Sequence, residues 1–295
     1  MLRLFSVVYG ERYCDLFKRV TLRSINQQPL NGAAVDDDGI WSIYTDAASA
    51  PRIVEIMHHH KHVVHIVDTK KIAIYDIAQQ ALVMEIEECF KTNSQMIMAP
   101  PDVFFGDGSI ANLLALASVR PKNMCFSAPH VRVDYDKFLA ALPLGTIDNP
   151  RLVQLALANL HRSWSQSDVA LDKRNTYYSG TSIQALPTLG FYAVTHVLPT
   201  CHLAQFTQDD LDAFKKYRTG AWDHEWPALL VAKNRHRLIG SSDIFFAVEL
   251  TKEKENIPKL HGAKEHPVEE YELTERRGHE HNRLNRSMIF VLRGE

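Results

Sequence analysis

The 295-residue chain has no apolar run near the roughly 20 residues that a bilayer-spanning helix needs, and its first residues, MLRLFSVVYGERY, contain no long signal core. A soluble protein is expected, with peripheral membrane contact left open. It has no excess of one charge: 33 Lys and Arg stand against 35 Asp and Glu, a net of -2. No basic field draws such a chain onto nucleic acid. Cysteine is scarce. Cys14, Cys89, Cys125 and Cys201 form neither a CxxC pair nor a dense disulfide framework, a usage that fits a reducing, cytoplasmic compartment. The GxxxxGK[ST] phosphate loop, GxGxxG, GxSxG and HExxH are all missing. ATPase, dinucleotide dehydrogenase and serine hydrolase readings therefore lack their defining parts.

What the chain does have is enough apolar sequence for a large core, 45% hydrophobic residues, arranged as short apolar runs alternating with amphipathic stretches. That alternation predicts an α/β fold with an open, mixed sheet flanked by helices in one large domain. Strands are expected at Leu4 to Tyr9, Trp41 to Thr45, Val63 to Val67, Gln95 to Met98, Asp102 to Phe105, Leu189 to Val194 and Ile244 to Leu250. The segment Met288 to Leu292 is a further apolar piece. Helices are expected from about Tyr13 to before Pro29, and over Ala50 to His60, Ile72 to Phe90, Ile110 to Ala117, Tyr135 to Leu142, Pro150 to Trp164, Asp209 to Tyr217 and Asp223 to Lys233. Ser109 is the expected N-cap of the helix that begins at Ile110. The polar span 165–182 reads as a loop.

Several residues could carry chemistry. Tyr9 ends the first strand, where open α/β sheets place their ligand crevice, and its ring could stack on a base or simply be a strand aromatic. Asp46 ends the second strand and could accept from a base or ribose hydroxyl, or serve as a turn aspartate. In PPDVFFGDGS, Asp107 stands between glycines after an apolar strand, where a carboxylate could hold a divalent cation, meet sugar hydroxyls or cap a helix. In GAWDHEWP, Asp223 and Glu225 lie between two indoles, a setting that raises carboxylate pKa values and suits general-base work; an acidic helix start is the plainer reading. Asp243, before IFFAVEL, could join the same crevice or be a turn residue. Among the 15 histidines, His58 to His65 are spaced so that strand neighbours point apart, which argues against one shared ion. His196 and His202 flank Leu198-Pro199-Thr200, and one of them could act as a metal or phosphate ligand or be a plain loop histidine; His279, His281 and their arginine neighbours form a basic patch that could reach over a diphosphate or be a solvated charge run.

In its layout the chain resembles the GT-A type of nucleotide-sugar-dependent glycosyltransferases, on LFSVVYGERYCDLFKRVTLRSI, WSIYTD, PPDVFFGDGS and GAWDHEWP. The resemblance implies a GT-A-like, Rossmann-like sheet, with residues 1–120 as the nucleotide-sugar-binding half and 121–295 as the acceptor half and tail of the same domain. It implies transfer of a hexose-type unit from a nucleotide-sugar donor to a glycan or other hydroxyl acceptor, as in glycan or polysaccharide synthesis. Tyr9 and Asp46 would hold the base, Asp107 would face the diphosphate with Mn²⁺ or Mg²⁺, and Asp223 or Glu225 would serve the acceptor, with inverting chemistry. The family's Asp-Xaa-Asp element has only one acid at Gly106-Asp107-Gly108, so positive side chains could neutralise the diphosphate instead. A sugar nucleotidyltransferase and a non-catalytic sugar- or nucleotide-binding protein are the alternatives.

Overall fold

Along Leu2–Val7, successive side chains point to opposite sides, so Leu2 and Leu4 enter one apolar cluster and Phe5 another. Both sides of this strand are buried, as in a parallel sheet covered on both faces. The computed structural model describes residues 1–26, 29–30, 33–34, 39–68, 74–120, 123–128, 131–161, 174–175, 182–186, 191–195, 200–216, 235–254, 265–266 and 289–292. Asp223 and Glu225, most of the 165–182 span, His196 and the basic C-terminal patch lie outside the described residues.

The first half begins with β1 (Leu2–Val7), α1 (Glu11–Leu16), a π-helical segment (Phe17–Leu22) and α2 (Arg23–Asn26). It continues with β2 (Pro29–Leu30), β3 (Ala33–Ala34), β4 (Gly39–Thr45), α3 (Ala50–Ile56), β5 (His62–Ile66) and α4 (Ile74–Thr92). Then follow β6 (Gln95–Met98), β7 (Val103–Phe105) and α5 (Ser109–Ser118). The second half contains β8 (Cys125–Ala128), β9 (Val131–Asp134), α6 (Tyr135–Ala141), α7 (Asn149–Ala158), β10 (Arg174–Asn175), β11 (Ser182–Leu186) and β12 (Phe191–Thr195). After them come β13 (Thr200–Ala204), α8 (Gln208–Lys216), β14 (His236–Leu238), β15 (Ala247–Thr251), β16 (Glu265–His266) and β17 (Ile289–Leu292).

These strands build a seven-stranded sheet in the order β14-β8-β13-β6-β1-β4-β5. Only β13 runs against its neighbours; the pairs β1–β4, β4–β5, β1–β6 and β8–β14 are parallel. Helices α4 and α8 pack on the face carrying Phe5, Tyr44, Met96 and Cys201. The other face meets the π-helical segment, α3 and a second sheet, β7-β15-β9, through one apolar cluster that runs from Leu2 to Leu250. The architecture is therefore the mixed α/β sheet flanked by helices that the alternation predicts. Among the described residues, no helix is long and apolar enough to cross a membrane.

Two local expectations are corrected. Ser109 is not the N-cap of α5: Gly108 takes that place with φ 82, and Ser109 turns inward, its hydroxyl within hydrogen-bond reach of Asn149 and the Phe246 backbone. The helix expected to reach Trp164 ends at Ala158, because Leu160 bridges Val133 and the His161 N–H donates to the Arg132 carbonyl.

Candidate functional site

Strand β1 lies between β4 and β6, so the chain leaves β1 on one side, through β4 to β5, and returns to β6 on the other. Open α/β sheets place their ligand crevice at such a reversal, outside the carboxyl ends of the two central strands. Val8, Tyr9 and Gly10 stand at the end of β1, and Ala99 to Asp102 at the end of β6.

Hydrogen bonds hold this edge in shape. Val8 N–H donates to the Tyr44 carbonyl at 2.9 Å and Ala99 N–H to the Phe5 carbonyl at 2.9 Å. Gly10 has φ 78 and ψ 153, a conformation nearly confined to glycine, and its N–H donates to Ser49 Oγ at 2.9 Å. The Ser49 N–H in turn donates to Asp46 Oδ1 at 2.7 Å. The Ser49 hydroxyl thus ties the β4–α3 turn to the β1–α1 turn, and the Asp46 carboxylate holds Ser49 in its turn. Tyr9 is half-buried next to it; burial, and then the charge of Asp46, raise the Tyr9 phenol above its ordinary pKa. Parallel pairing, with Val7 opposite Tyr44, sets Tyr9 and Asp46 each two residues on, past the ends of neighbouring strands.

On the β6 side, the Thr21 hydroxyl lies 2.6 Å from the Pro100 carbonyl and 2.9 Å from that of Val103, pinning the turn against the π-helical segment. The Asp102 carbonyl accepts the Leu250 N–H at 2.9 Å, and Thr251 pairs with Asp134, so the start of β7 and the end of β9 lie at this same end of the second sheet. Tyr135 follows Asp134, and the Arg12 guanidinium sits 5.7 Å from its ring and 5.4 Å from that of Tyr13. Sequence reasoning passed over both Asp102 and Arg12. The signal for Asp102 was Pro100-Pro101, which ends β6 and leaves the next residue, an acid, at its carboxyl edge.

Asp107 lies at the other end of β7. It pairs with Asp148 in an isolated parallel bridge and its N–H donates to the Ile147 carbonyl at 2.7 Å. Its Oδ1 is buried without a hydrogen-bond partner among the described residues. A Cβ on neighbouring Gly106 would stand 2.0 Å from Asn149 Oδ1, so only glycine allows α7 to approach this turn. Asp243 is exposed and belongs to the same neighbourhood: Asn112, on α5, donates to the Ile244 carbonyl at 3.1 Å. His202, on β13, is buried. Its Nε2 lies 3.1 Å from the Ala128 carbonyl, which can only accept, so Nε2 carries the proton, and its ring packs 4.3 Å from that of Phe245.

A divalent cation of the Mn²⁺ or Mg²⁺ type takes several oxygen ligands. Among the described residues, no group of three or more His, Cys, Asp or Glu is placed to hold one. Asp107 and His202 do not make such a set.

No protein-family model matches the chain, and no curated protein matches it in sequence. Among solved structures, it is similar to a glucose-1-phosphate thymidylyltransferase from Bacillus anthracis at 10% identity and TM-score 0.38, covering 81% of this chain and 86% of that one. It is also similar to mouse xyloside xylosyltransferase 1 at 12% identity and TM-score 0.31, covering 49% of this chain and 63% of the mouse chain.

Proposed function

We propose that the protein is a glycosyltransferase that moves a sugar from a nucleotide-diphosphate donor to an acceptor hydroxyl. The observation that carries this reading is the placing of Tyr9 and Asp46 just past the carboxyl ends of adjacent parallel strands, beside the reversal in strand order. An aromatic ring and a carboxylate are the two groups that a nucleoside asks for, one to stack on the base and one to accept from the base or the ribose hydroxyls. In this reading Arg12 neutralises the diphosphate and Asp102 accepts from hydroxyls of the transferred sugar.

The acceptor oxygen attacks the anomeric carbon and loses its proton to a carboxylate. The bond to the diphosphate breaks, and its electron pair leaves with the nucleoside diphosphate. Asp223 or Glu225 is the proposed base, and a base in that role makes the transfer inverting.

Incubation with a panel of nucleotide sugars, with and without Mn²⁺, tests the proposal. Release of nucleoside diphosphate is the expected result. Formation of pyrophosphate from a nucleoside triphosphate and a sugar 1-phosphate would replace it with nucleotidyl transfer, a second reading that Arg12, two residues beyond Gly10, also suits. Binding without turnover would leave a sugar- or nucleotide-binding protein. Replacing Asp46 by Asn keeps an oxygen for the Ser49 N–H and removes the charge. Donor affinity is expected to fall about tenfold, the scale of one charged hydrogen bond, and an unchanged affinity would refute the placement of the nucleoside.

A further inference from the structure

We propose that Cys125 and Cys201 are a modification site, a thiol pair that a peroxide-class oxidant converts into a reversible disulfide within the central sheet. Their Sγ atoms are 3.1 Å apart, so forming a bond of about 2.05 Å needs roughly 1 Å of closure. Cys201 pairs opposite Ser127, and Cys125 lies two residues back on the same side of β8. Diagonal neighbours of this kind are normally too far apart to bond, about 7–8 Å between their Cα atoms. Here the register slips between Cys201 and Leu203, and this irregularity accompanies the close approach of the sulfurs. Cys14 and Cys89 are also buried, and the Cys14 thiol is hydrogen-bonded to Ser49.

The pair continues into a chain of polar groups. Ser127 Oγ lies 3.8 Å from Cys125 Sγ and 2.8 Å from His236 Nε2, so sulfur, hydroxyl and imidazole cross from β13 through β8 to β14. The Ser127 hydroxyl can pass the Cys125 proton on to the departing oxygen as the O–O bond breaks, and His236, kept neutral at pH 7 by burial, orients that hydroxyl through the hydrogen bond at its Nε2. The Cys125 sulfur then attacks the peroxide, breaking the O–O bond to give Cys125–SOH, and the departing hydroxide takes up the proton to leave as water. The Cys201 sulfur next attacks that sulfenic sulfur, the S–S bond forms, and the hydroxyl leaves with the Cys201 proton as a second water. Two thiols lose two electrons and one peroxide becomes two waters.

Both sulfurs are fully buried, and burial raises the Cys201 thiol, so the pair stays reduced against brief exposure. Entry is by way of β14, a three-residue strand at the sheet edge and a low-cost place for local opening.

The test exposes the full chain to hydrogen peroxide without reductant, followed by intact mass and peptide mapping without reduction. The expected result is a loss of about 2 Da, a Cys125–Cys201 linked peptide, and recovery of the starting mass with dithiothreitol. Replacing Ser127 by Ala is expected to slow the cross-link about tenfold by removing the proton path. Replacing Cys201 by Ser should leave a sulfenic acid on Cys125 that dimedone traps. The proposal is overturned by four unmodified thiols after prolonged exposure, by sulfinic or sulfonic acid without linkage, or by linkage through Cys14 or Cys89. Should the Cys201 variant fail to fold, the map of the unaltered chain decides alone.

Discussion

Near its start, β1 carries Arg3, and just past its end stands Tyr9; Arg3 is bonded to a carboxylate and Tyr9 lies near one, in opposite surroundings. Arg3 donates to Glu85 at 2.6 Å and to Ser42 at 2.7 Å, while the Tyr44 hydroxyl donates to the other Glu85 oxygen at 3.0 Å, all beneath α4. Burial works against the Arg3 charge, yet the hydrogen bond and charge of Glu85 hold its pKa above the ordinary value. This cluster is closed to solvent, with side-chain exposures of 5% for Arg3 and 0% for Glu85, and its donors face acceptors within the fold. At the other end, Asp46 commits one oxygen to the Ser49 N–H, and Tyr9 is half open to the crevice. A charge pair that the fold encloses on every side serves the fold; a phenol and a carboxylate set near each other at an open strand edge keep bonding capacity for a ligand.

The largest effect is expected from breaking the closed cluster. Replacing Glu85 by Ala leaves Arg3 charged and buried, which should cost about 3–5 kcal/mol in urea unfolding. A cost below about 1 kcal/mol would mean that this cluster is as solvent-accessible as the open one. The next effect comes from acid. His236 is held down to about 4 by burial and by Arg237, so between about pH 6.5 and 4 the unfolded chain binds a proton that the native chain refuses. Its contribution is therefore complete above the unfolded pKa and is lost as the pH falls through this window, by on the order of 3 kcal/mol. Replacing His236 by Phe should flatten that part of the stability profile. If the slope persists, another buried group carries it.

Two smaller effects refine the open end. Changing Asp102 to Asn should lower kcat/KM for the donor about a hundredfold, some 2.7 kcal/mol, while the same change at Asp107 should stay within about threefold. Equal losses would mean that both ends of β7 border one cavity. Replacing Ser49 by Ala removes the acceptor of the Gly10 N–H and should cost about 1 kcal/mol by thermal unfolding, with a modest rise in KM.

Much of the first third was legible. The spacing of Ile77, Ala81 and Met84 predicts the helix that spans Ile74–Thr92, and the apolar run at Trp41 marks β4. Strands β8, β9, β13 and β14 gave no such signal, being three to five residues long and buried by partners far away in sequence. The two acids of PPDVFFGDGS illustrate the limit. Their glycine neighbours draw attention to Asp107, whereas strand order sets Asp102 at the reversal.

Periodicity, proline stops and glycine turns are properties of neighbouring residues, so the sequence alone determined the class of fold, the early strands and the acids worth weighing. Which strands lie side by side depends on burial gained between segments that are distant along the chain. Tertiary structure therefore decided that Tyr9 and Asp46 follow neighbouring strands, that β6 returns beside β1, and that two cysteines from separate strands stand within contact of each other.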